Sequence, residues 1–342
     1  MFFEDEVEME FDCEEGEDLI TASLRQEIIL MSECRDGLCT TCKVLCEEGD
    51  YEHGEGVNVQ SLPPEEEEEG HILMCQAFPL SDLELAVPYT SDRVTLGVAM
   101  PAKTYESKVT TCEKLTENVV KFELQIQNPF GQPEDFPFIA GQYVTIEVPE
   151  TQEWRSYSMA NIATDGKIEL LIRLLDDGVM SNYLRESAKV GDLVDVKGPF
   201  GTFNLHDSEG RSRYFIAGST GLAPLLSMVR EMKEKGDMTP AHLLLGARST
   251  DFLFYEDEIR ELESKMDTLT VHIALESTDG CENWTGFCGN SVEMMTDLLT
   301  KNNEKPDIYI CGPAGMVTAV EDAGRDNDIP ADQIYLERFV AS

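Results

Sequence analysis

The sequence predicts a mixed α+β and α/β chain in three parts: a small α+β segment, an antiparallel β-barrel and an α/β domain with a parallel sheet. Three observations predict it. Three cysteines crowd into nine residues near the N-terminus, short strands with Gly and Pro turns fill Ala102 to about Asp207, and strands alternate with helices from Arg211 onward. The 342 residues and 42% hydrophobic content suffice for two or three cores and exclude a disordered chain. The changes of rhythm put the boundaries at 1–98, 99–210 and 211–342.

The first segment opens with an alternating stretch, Glu4 to Phe11, expected as a strand. Asp18-Leu-Ile-Thr-Ala-Ser-Leu-Arg-Gln26 then carries helical periodicity. Pro63-Pro64 followed by five glutamates and Gly70 predicts an exposed turn, Cys75 is expected on a strand, and Tyr89 to Pro101 reads as a linker.

Between the helix and that turn stands Cys34-Arg-Asp-Gly-Leu-Cys39-Thr-Thr-Cys42, with Cys75 thirty-two residues beyond. Gaps of four and two, with a distant fourth thiol, are the spacing that holds a [2Fe–2S] cluster, and Gly37, Thr40 and Thr41 suit close backbone approach to its sulfurs. A structural zinc site would want two Cys-x-x-Cys halves, and only one exists. Cys46 is an alternative fourth ligand, but the first gap of four and Glu47 after it break the bacterial iron–sulfur run, so Cys75 is favoured.

In the middle segment the clearest strands are Gln142 to Pro149, Ile168 to Arg173 and Gly191 to Lys197. Arg155-Ser156-Tyr157-Ser158 offers a permanently charged bidentate phosphate donor, a flat phenol and hydroxyls, a set suited to a flavin and its pyrophosphate. Gly178-Val-Met180-Ser181 opens a helix whose free amides suit a second phosphate contact.

The last segment reads as strands at Tyr214–Ala217, His242–Leu245, Leu269–Ala274 and Asp307–Cys311. Helices are expected at Ala223–Lys235, Tyr255–Met266, Ser291–Lys301 and Met316–Asp326. Gly218-Ser-Thr220-Gly221-Leu-Ala223 joins a strand to a helix, where an open parallel sheet binds a dinucleotide, although it is not the Gly-x-Gly-x-x-Gly fingerprint. Cys311-Gly312-Pro313-Ala-Gly-Met316 brings a second loop to the same crevice.

Taken together, these motifs resemble the ferredoxin-NADP reductase superfamily in its oxygenase-reductase form, over essentially the whole chain. Leu62-Pro-Pro-Glu-Glu-Glu-Glu-Glu-Gly70 and Pro88-Tyr-Thr90 are most similar to reductase components of soluble methane, butane or propane monooxygenases. The resemblance implies a β-grasp plant-type ferredoxin domain, an FAD-binding barrel and an NAD-binding α/β domain. Arg155 would hold FAD phosphate, Tyr157 and Ser158 would face the flavin and its N5, and Arg173, Gly178, Met180 and Ser181 would complete the contacts. Gly218, Thr220, Gly221 and Ala223 would receive NADH, with Cys311, Gly312, Pro313 and Met316 near the nicotinamide. Glu337-Arg-Phe339 matches a tail whose aromatic ring covers the flavin, so Ser158, Cys311, Glu337 and Phe339 are the expected catalytic set. The metal ligands would be Cys34, Cys39, Cys42 and Cys75.

Three departures accompany the resemblance. Ser219 stands where a second Gly is usual, Arg248-Ser249 leaves NADPH open beside NADH, and the short leader before Glu4 suggests a clipped first ferredoxin strand, for which an incorrect start codon is one explanation.

The activity implied is electron transfer from NADH through FAD and [2Fe–2S] to a separate di-iron hydroxylase. The carboxylate-bridged di-iron site wants two Glu-x-x-His pairs, and the only such spacing here, Glu68 to His71, lies in the acidic turn. A Rieske dioxygenase or phenol-type hydroxylase is the alternative partner, and a redox-sensing iron–sulfur protein the alternative of another class. The charge bears on the partner: of a net −41, residues 1–98 carry 26 acids against 4 bases. Such a field repels nucleic acid and anionic membranes and steers toward a basic protein surface, with general solubility as the alternative for the acidity as a whole. No apolar run approaches the ~18 residues of a membrane span, the N-terminus is acidic, and ten cysteines fit a reducing compartment, so a cytoplasmic, monomeric protein is expected.

Overall fold

A computed structural model of the chain describes all residues except 33, 34, 36, 38, 39, 55, 97–102, 278–283 and 340–342. It divides into two compact units, Met1–Ala102 with Phe200–Thr202, and Lys103–Pro199 with Phe203–Ser342. Among the described residues no helix is long and apolar enough to cross a membrane.

The first unit runs β1 (Phe2–Phe3), α1 (Leu19–Arg25), β2 (Ile28–Ile29), β3 (Lys43–Glu48), β4 (Tyr51–His53), α2 (Pro64–Glu68), β5 (His71–Leu73), β6 (Ala77–Pro79), β7 (Glu84–Val87) and β8 (Thr95–Leu96). A mixed sheet of order β1-β7-β3-β5 is flanked by the ribbons β2-β8 and β4-β6. Asp18 starts α1 by accepting bonds from Thr21 N at 3.0 Å and Thr21 Oγ1 at 2.5 Å, which satisfies an otherwise orphaned helix donor. Ile20, Leu30, Ile72, Leu73 and Met74 fill the core.

Four expectations for this unit need correction. Glu4 to Phe11 is not a strand: only Phe2–Phe3 pairs with β7, and the chain turns back at Glu6 (φ 62°) so that Met9 N bonds Met1 O at 3.0 Å. Phe3 is buried in the core, and that anchoring outweighs the alternation that follows it. The glutamate run is exposed but helical, because Pro64 sits at the first helical position and three acids in the first turn complement the helix dipole. Cys75 lies on a 3₁₀ turn, Met74–Gln76, just past the end of β5. The region read as a linker contains another 3₁₀ turn, Ser91–Arg93, and then β8.

The second unit begins with β9 (Lys103–Thr116), β10 (Val119–Gln127), β11 (Tyr143–Glu147), β12 (Trp154–Ser158), β13 (Lys167–Arg173), α3 (Val179–Glu186) and β14 (Leu193–Phe200). The sheet order is β12-β11-β14-β9-β10-β13, with antiparallel pairing in β9–β10, β10–β13, β11–β12 and β9–β14. An antiparallel bridge between Met159 and Leu170, and Ala160 N bonded to Glu169 O at 2.8 Å, draw the two outer strands together and close the barrel. Val120, Phe122, Leu124 and Ile126 alternate inward along β10 as a half-buried strand requires.

Beyond it come β15 (Arg213–Gly218), α4 (Leu222–Lys235), β16 (Ala241–Ala247), α5 (Glu256–Lys265), β17 (Leu269–Leu275), β18 (Phe287–Cys288), α6 (Ser291–Asn302), β19 (Asp307–Pro313), α7 (Ala314–Asp326) and β20 (Ile334–Phe339). All strands of the order β18-β17-β16-β15-β19-β20 are parallel. Winding proceeds one way from β15 to β18 and the other way through β19 and β20, so the switch point lies between β15 and β19. Near-continuous apolar runs such as Tyr214–Ala217 are what a strand covered on both faces needs.

Phe122 is fully buried in the barrel core, so Phe122→Ala should lower stability by roughly 3–5 kcal/mol. Phe130→Ala, at an 87% exposed position, should stay within about 0.5 kcal/mol. Urea unfolding followed by circular dichroism checks both.

Candidate active site at the switch point

At the carboxyl end of β15 the chain passes through Gly218 and a 3₁₀ turn, Ser219–Gly221, into α4. The loop after β19 lies against it. A methyl group on Gly221 would stand 2.1 Å from the Cys311 carbonyl oxygen, and one on Gly218 would stand 2.4 Å from Met316 Sδ. At Gly218 the crowding atom belongs to the flexible Met316 side chain, whereas at Gly221 it is fixed backbone, where only glycine permits the approach. It leaves a bare backbone surface beside the first-turn amides of α4, a place suited to a pyrophosphate. Ser219, at the departure from the usual glycine, holds φ 54°, a left-handed conformation disfavoured for a side chain.

Thr220 and Ala223 are buried, so Ala223 offers its amide and not its methyl. Gly312 is buried, Pro313 is exposed, and Met316 stands half-buried under both loops. Arg248 is exposed just after β16, its carbonyl accepting from Ser277 N at 2.9 Å.

On the barrel, β12 carries Arg155, Tyr157 and Ser158. Arg155 is paired with Glu153 at 2.5 Å and donates to the Trp154 carbonyl at 2.9 Å, so a phosphate would have to compete with that carboxylate. Burial pushes the Tyr157 phenol well above its ordinary value, keeping it neutral. Gly178 caps α3, where a methyl would meet Ser181 Oγ at 2.9 Å, and that hydroxyl accepts from Leu175 N at 2.9 Å. Met180 is buried in the barrel core, which leaves only its amide for a ligand. Arg173 is exposed at the end of β13.

The two halves meet at Glu337 on β20, 5% exposed. Ser158 Oγ donates to Glu337 Oε2 at 2.8 Å, and Cys311 Sγ donates to the same oxygen at 3.4 Å. Burial raises this carboxyl to about 7, against the lowering effect of the two donors. The result is a proton-bearing group poised near neutrality that links the barrel strand to the loop after β19. Phe339, at the end of β20, is paired in register with Pro313 at the rim of the crevice.

In the first unit, Cys42 and Cys75 are both buried and are brought together by Met74 N donating to Cys42 O at 3.1 Å. Gly37, at φ 73°, packs so closely that a methyl would lie 2.5 Å from the Gly56 carbonyl. The Cys46 thiol instead donates to Glu48 O on its own strand, at 3.5 Å. Cys34 and Cys39 lie outside the described residues, and among the described residues no three His, Cys, Asp or Glu side chains cluster as a metal site.

Three known families match in series: a 2Fe-2S iron-sulfur cluster binding domain over residues 2–80, an oxidoreductase FAD-binding domain over 106–205 and an oxidoreductase NAD-binding domain over 215–322. Methane monooxygenase component C of Methylosinus trichosporium is 46% identical over 272 residues, 79% of this chain and 76% of that protein. The toluate 1,2-dioxygenase electron transfer component of Pseudomonas putida is 33% identical over 340 residues, 99% and 97% of the two chains. The chain belongs to the oxygenase reductase family. Among solved structures, the Amycolatopsis cytochrome P450 reductase GcoB superposes with a TM-score of 0.79 at 27% identity, covering 96% of each chain.

The reductase is therefore an oxidoreductase with FAD, NAD(H) and [2Fe–2S] domains, and its residues fit those groups. Two buried soft thiols suit iron, glycine-lined backbone at the switch point suits a dinucleotide, and β12 with the α3 N-terminus suits a flavin nucleotide. Sequence reading did not single out Glu169, Arg230 or Tyr255, which join the barrel to the nucleotide domain. The available signal was slight: an acid within the apolar run Ile168–Arg173.

Glu337 also sets a pH dependence. Its carboxyl titrates near 7 in the fold and near 4.5 in the unfolded chain, so the folded reductase binds more protons between those values. Stability should fall as pH rises from about 4.5 to about 7 and gain no further slope from this group above that. Urea midpoints across this range should show the slope in the wild-type reductase and lose it in Glu337→Gln.

Proposed function

We propose that the reductase passes electrons from NADH through FAD and [2Fe–2S] to the hydroxylase of a soluble di-iron hydrocarbon monooxygenase. The observation that carries the reading is the Ser158–Glu337–Cys311 contact, which sets the flavin strand beside the dinucleotide loop in one folded unit. When bound, the nicotinamide supplies a hydride, the flavin converts the pair into single electrons, and the iron–sulfur centre exports them.

The chain's own residues supply binding and placement. Arg155, Arg173 and the amides of Gly178, Met180 and Ser181 hold the flavin nucleotide's phosphates, while Tyr157 and Ser158 face its ring. Gly218, Thr220, Gly221 and Ala223 receive the dinucleotide; Cys311, Gly312, Pro313 and Met316 border the nicotinamide; Arg248 lies toward the adenosine end. Phe339 would cover the flavin and give way to nicotinamide, and Cys34, Cys39, Cys42 and Cys75 would hold the iron. Glu337 keeps a proton within reach of Ser158 and Cys311. Domain limits at 1–98, 99–210 and 211–342 enclose the three matched family spans.

The monooxygenase partner is favoured by the 46% identity to methane monooxygenase component C. A dioxygenase partner is the second reading, supported by 33% identity to the toluate dioxygenase component over nearly the whole chain. The reductase is read as a cytoplasmic monomer when free. Its acidic residues 1–98 steer it toward a basic surface on the hydroxylase.

Anaerobic NADH titration should bleach the flavin and develop the electron paramagnetic resonance signal of a reduced [2Fe–2S] centre; absence of bleaching would refute the order of transfer. Raising salt from about 50 to about 500 mM shortens the screening length to a few ångströms. Electron transfer to a di-iron hydroxylase should then slow several-fold while ferricyanide reduction stays constant, and equal rates at both salts would remove the electrostatic part of the reading.

A further inference from the structure

Away from the Ser158–Glu337–Cys311 contact, the barrel and the nucleotide domain are joined by a second polar cluster. Arg230 Nη1 on α4 donates to Glu169 Oε1 on β13 at 2.9 Å and to the Ala160 carbonyl at 2.9 Å. Tyr255 OH, just before α5, donates to the same Glu169 oxygen at 3.0 Å, and Ser227 Oγ on α4 donates to the Asn161 carbonyl at 2.6 Å. Glu169 is fixed in turn from its own backbone: its amide donates to Asn161 Oδ1 at 2.8 Å and its carbonyl accepts from Ala160 N at 2.8 Å.

The identity of the joined segments gives this cluster its meaning. Ala160 and Asn161 are two and three residues beyond Ser158, so Arg230 and Ser227 grip the backbone that leaves the flavin strand. These two side chains project from α4, whose first turn carries the dinucleotide loop, and an unbroken helix transmits their placement to that turn. Tyr255 ends the loop that leaves the carboxyl end of β16, where Arg248 stands. It is 5% exposed and holds φ 61°, a conformation that a bulky residue keeps only where its surroundings impose it. A single carboxylate therefore ties both segments that descend from the dinucleotide crevice to the end of the flavin strand.

We propose that Glu169 is a positioning residue: with Arg230 and Tyr255 it forms a latch that sets how the nicotinamide approaches the flavin. The inference rests on the function proposed above and adds to it the residue that holds the two reacting halves in register. Charge-assisted bonds from a guanidinium suit this role because they are directional as well as strong. An open groove of about 570 Å³, bordered by Glu123, Asn161, Lys167, Arg230 and Lys233, runs beside Glu169 and gives altered side chains room and water.

The test uses the full-length protein with flavin and cluster bound, as Glu169→Gln, Tyr255→Phe and the double variant. Glu234→Gln, an exposed carboxylate bordering the same groove, is the control. Flavin content and the reduced-cluster resonance should match wild type. The long-wavelength charge-transfer absorbance between nicotinamide and flavin should fall at least two-fold, and stopped-flow flavin reduction at saturating NADH should slow about 10-fold, the scale expected of a small misplacement. The NADH dissociation constant should change less than that rate, and the double variant should be no worse than Glu169→Gln. Hydrogen exchange at the amides of Ala160, Asn161 and residues 248–255 should quicken in the variants.

Wild-type charge transfer, reduction rate and exchange in both single variants would overturn the latch, as would equal losses in Glu234→Gln. Tyr255→Phe removes one hydroxyl and decides the matter should Glu169→Gln fail to fold. If NADH bleaches no flavin in the wild-type protein, the proposed function fails, and the hydrogen-exchange comparison still judges the latch by itself.

Discussion

The structure depends on how closely two backbones meet at the sheet's switch point. Gly221 rests against the carbonyl of Cys311 with no room for a methyl group, and Gly218 lies against the more yielding side chain of Met316. That contact fixes the loop after β19 beside the first turn of α4 and leaves a surface of bare amides suited to a dinucleotide. Ser219, left-handed between the two glycines, shows that the turn is held by its surroundings even where the residue opposes it.

Around this contact the second unit is built as three apolar cores, one in the barrel and one on each face of the parallel sheet. The core centred on α4 takes in Val119, Ala140, Leu171 and Phe203 of the barrel, and beside it a polar seam carries Ser158, Glu169, Arg230, Tyr255 and Glu337. Buried polar groups are costly unless matched, and matched ones admit few geometries. A seam of this kind determines register more than it adds stability. A reductase that must hold two flat rings in contact gains from that specificity, because misplacement slows transfer far more than a small loss of stability would.

The first unit follows another logic. Its short strands, in one four-stranded sheet and two ribbons, make a modest core, and two of its buried residues are the thiols Cys42 and Cys75. Ligation of iron by buried thiolates couples folding of such a domain to its cluster. Its residues 1–98 are strongly acidic, a charge that repels surfaces of like sign.

Much of this was legible in the sequence because it depends on local pattern. The 3.6-residue and two-residue periodicities marked the helices and strands of the second unit within a few residues, since those elements are long and their burial is regular. Thiol spacing and glycine-rich turns pointed to the iron–sulfur and NAD-binding domains that the family matches show, since both signals reflect backbone geometry over a few residues. The same reading failed at Glu4–Phe11, at the glutamate run and at Cys75, where short elements take their shape from neighbours far along the chain. It could not see that Ser158 and Glu337, 179 residues apart, share a hydrogen bond, or that Glu169 collects Arg230 and Tyr255. Sequence alone determined which groups the reductase can hold, because ligands are chosen by residue type and local spacing. Tertiary structure alone decided which side chains touch, because burial and hydrogen-bond partnership are properties of the packed chain.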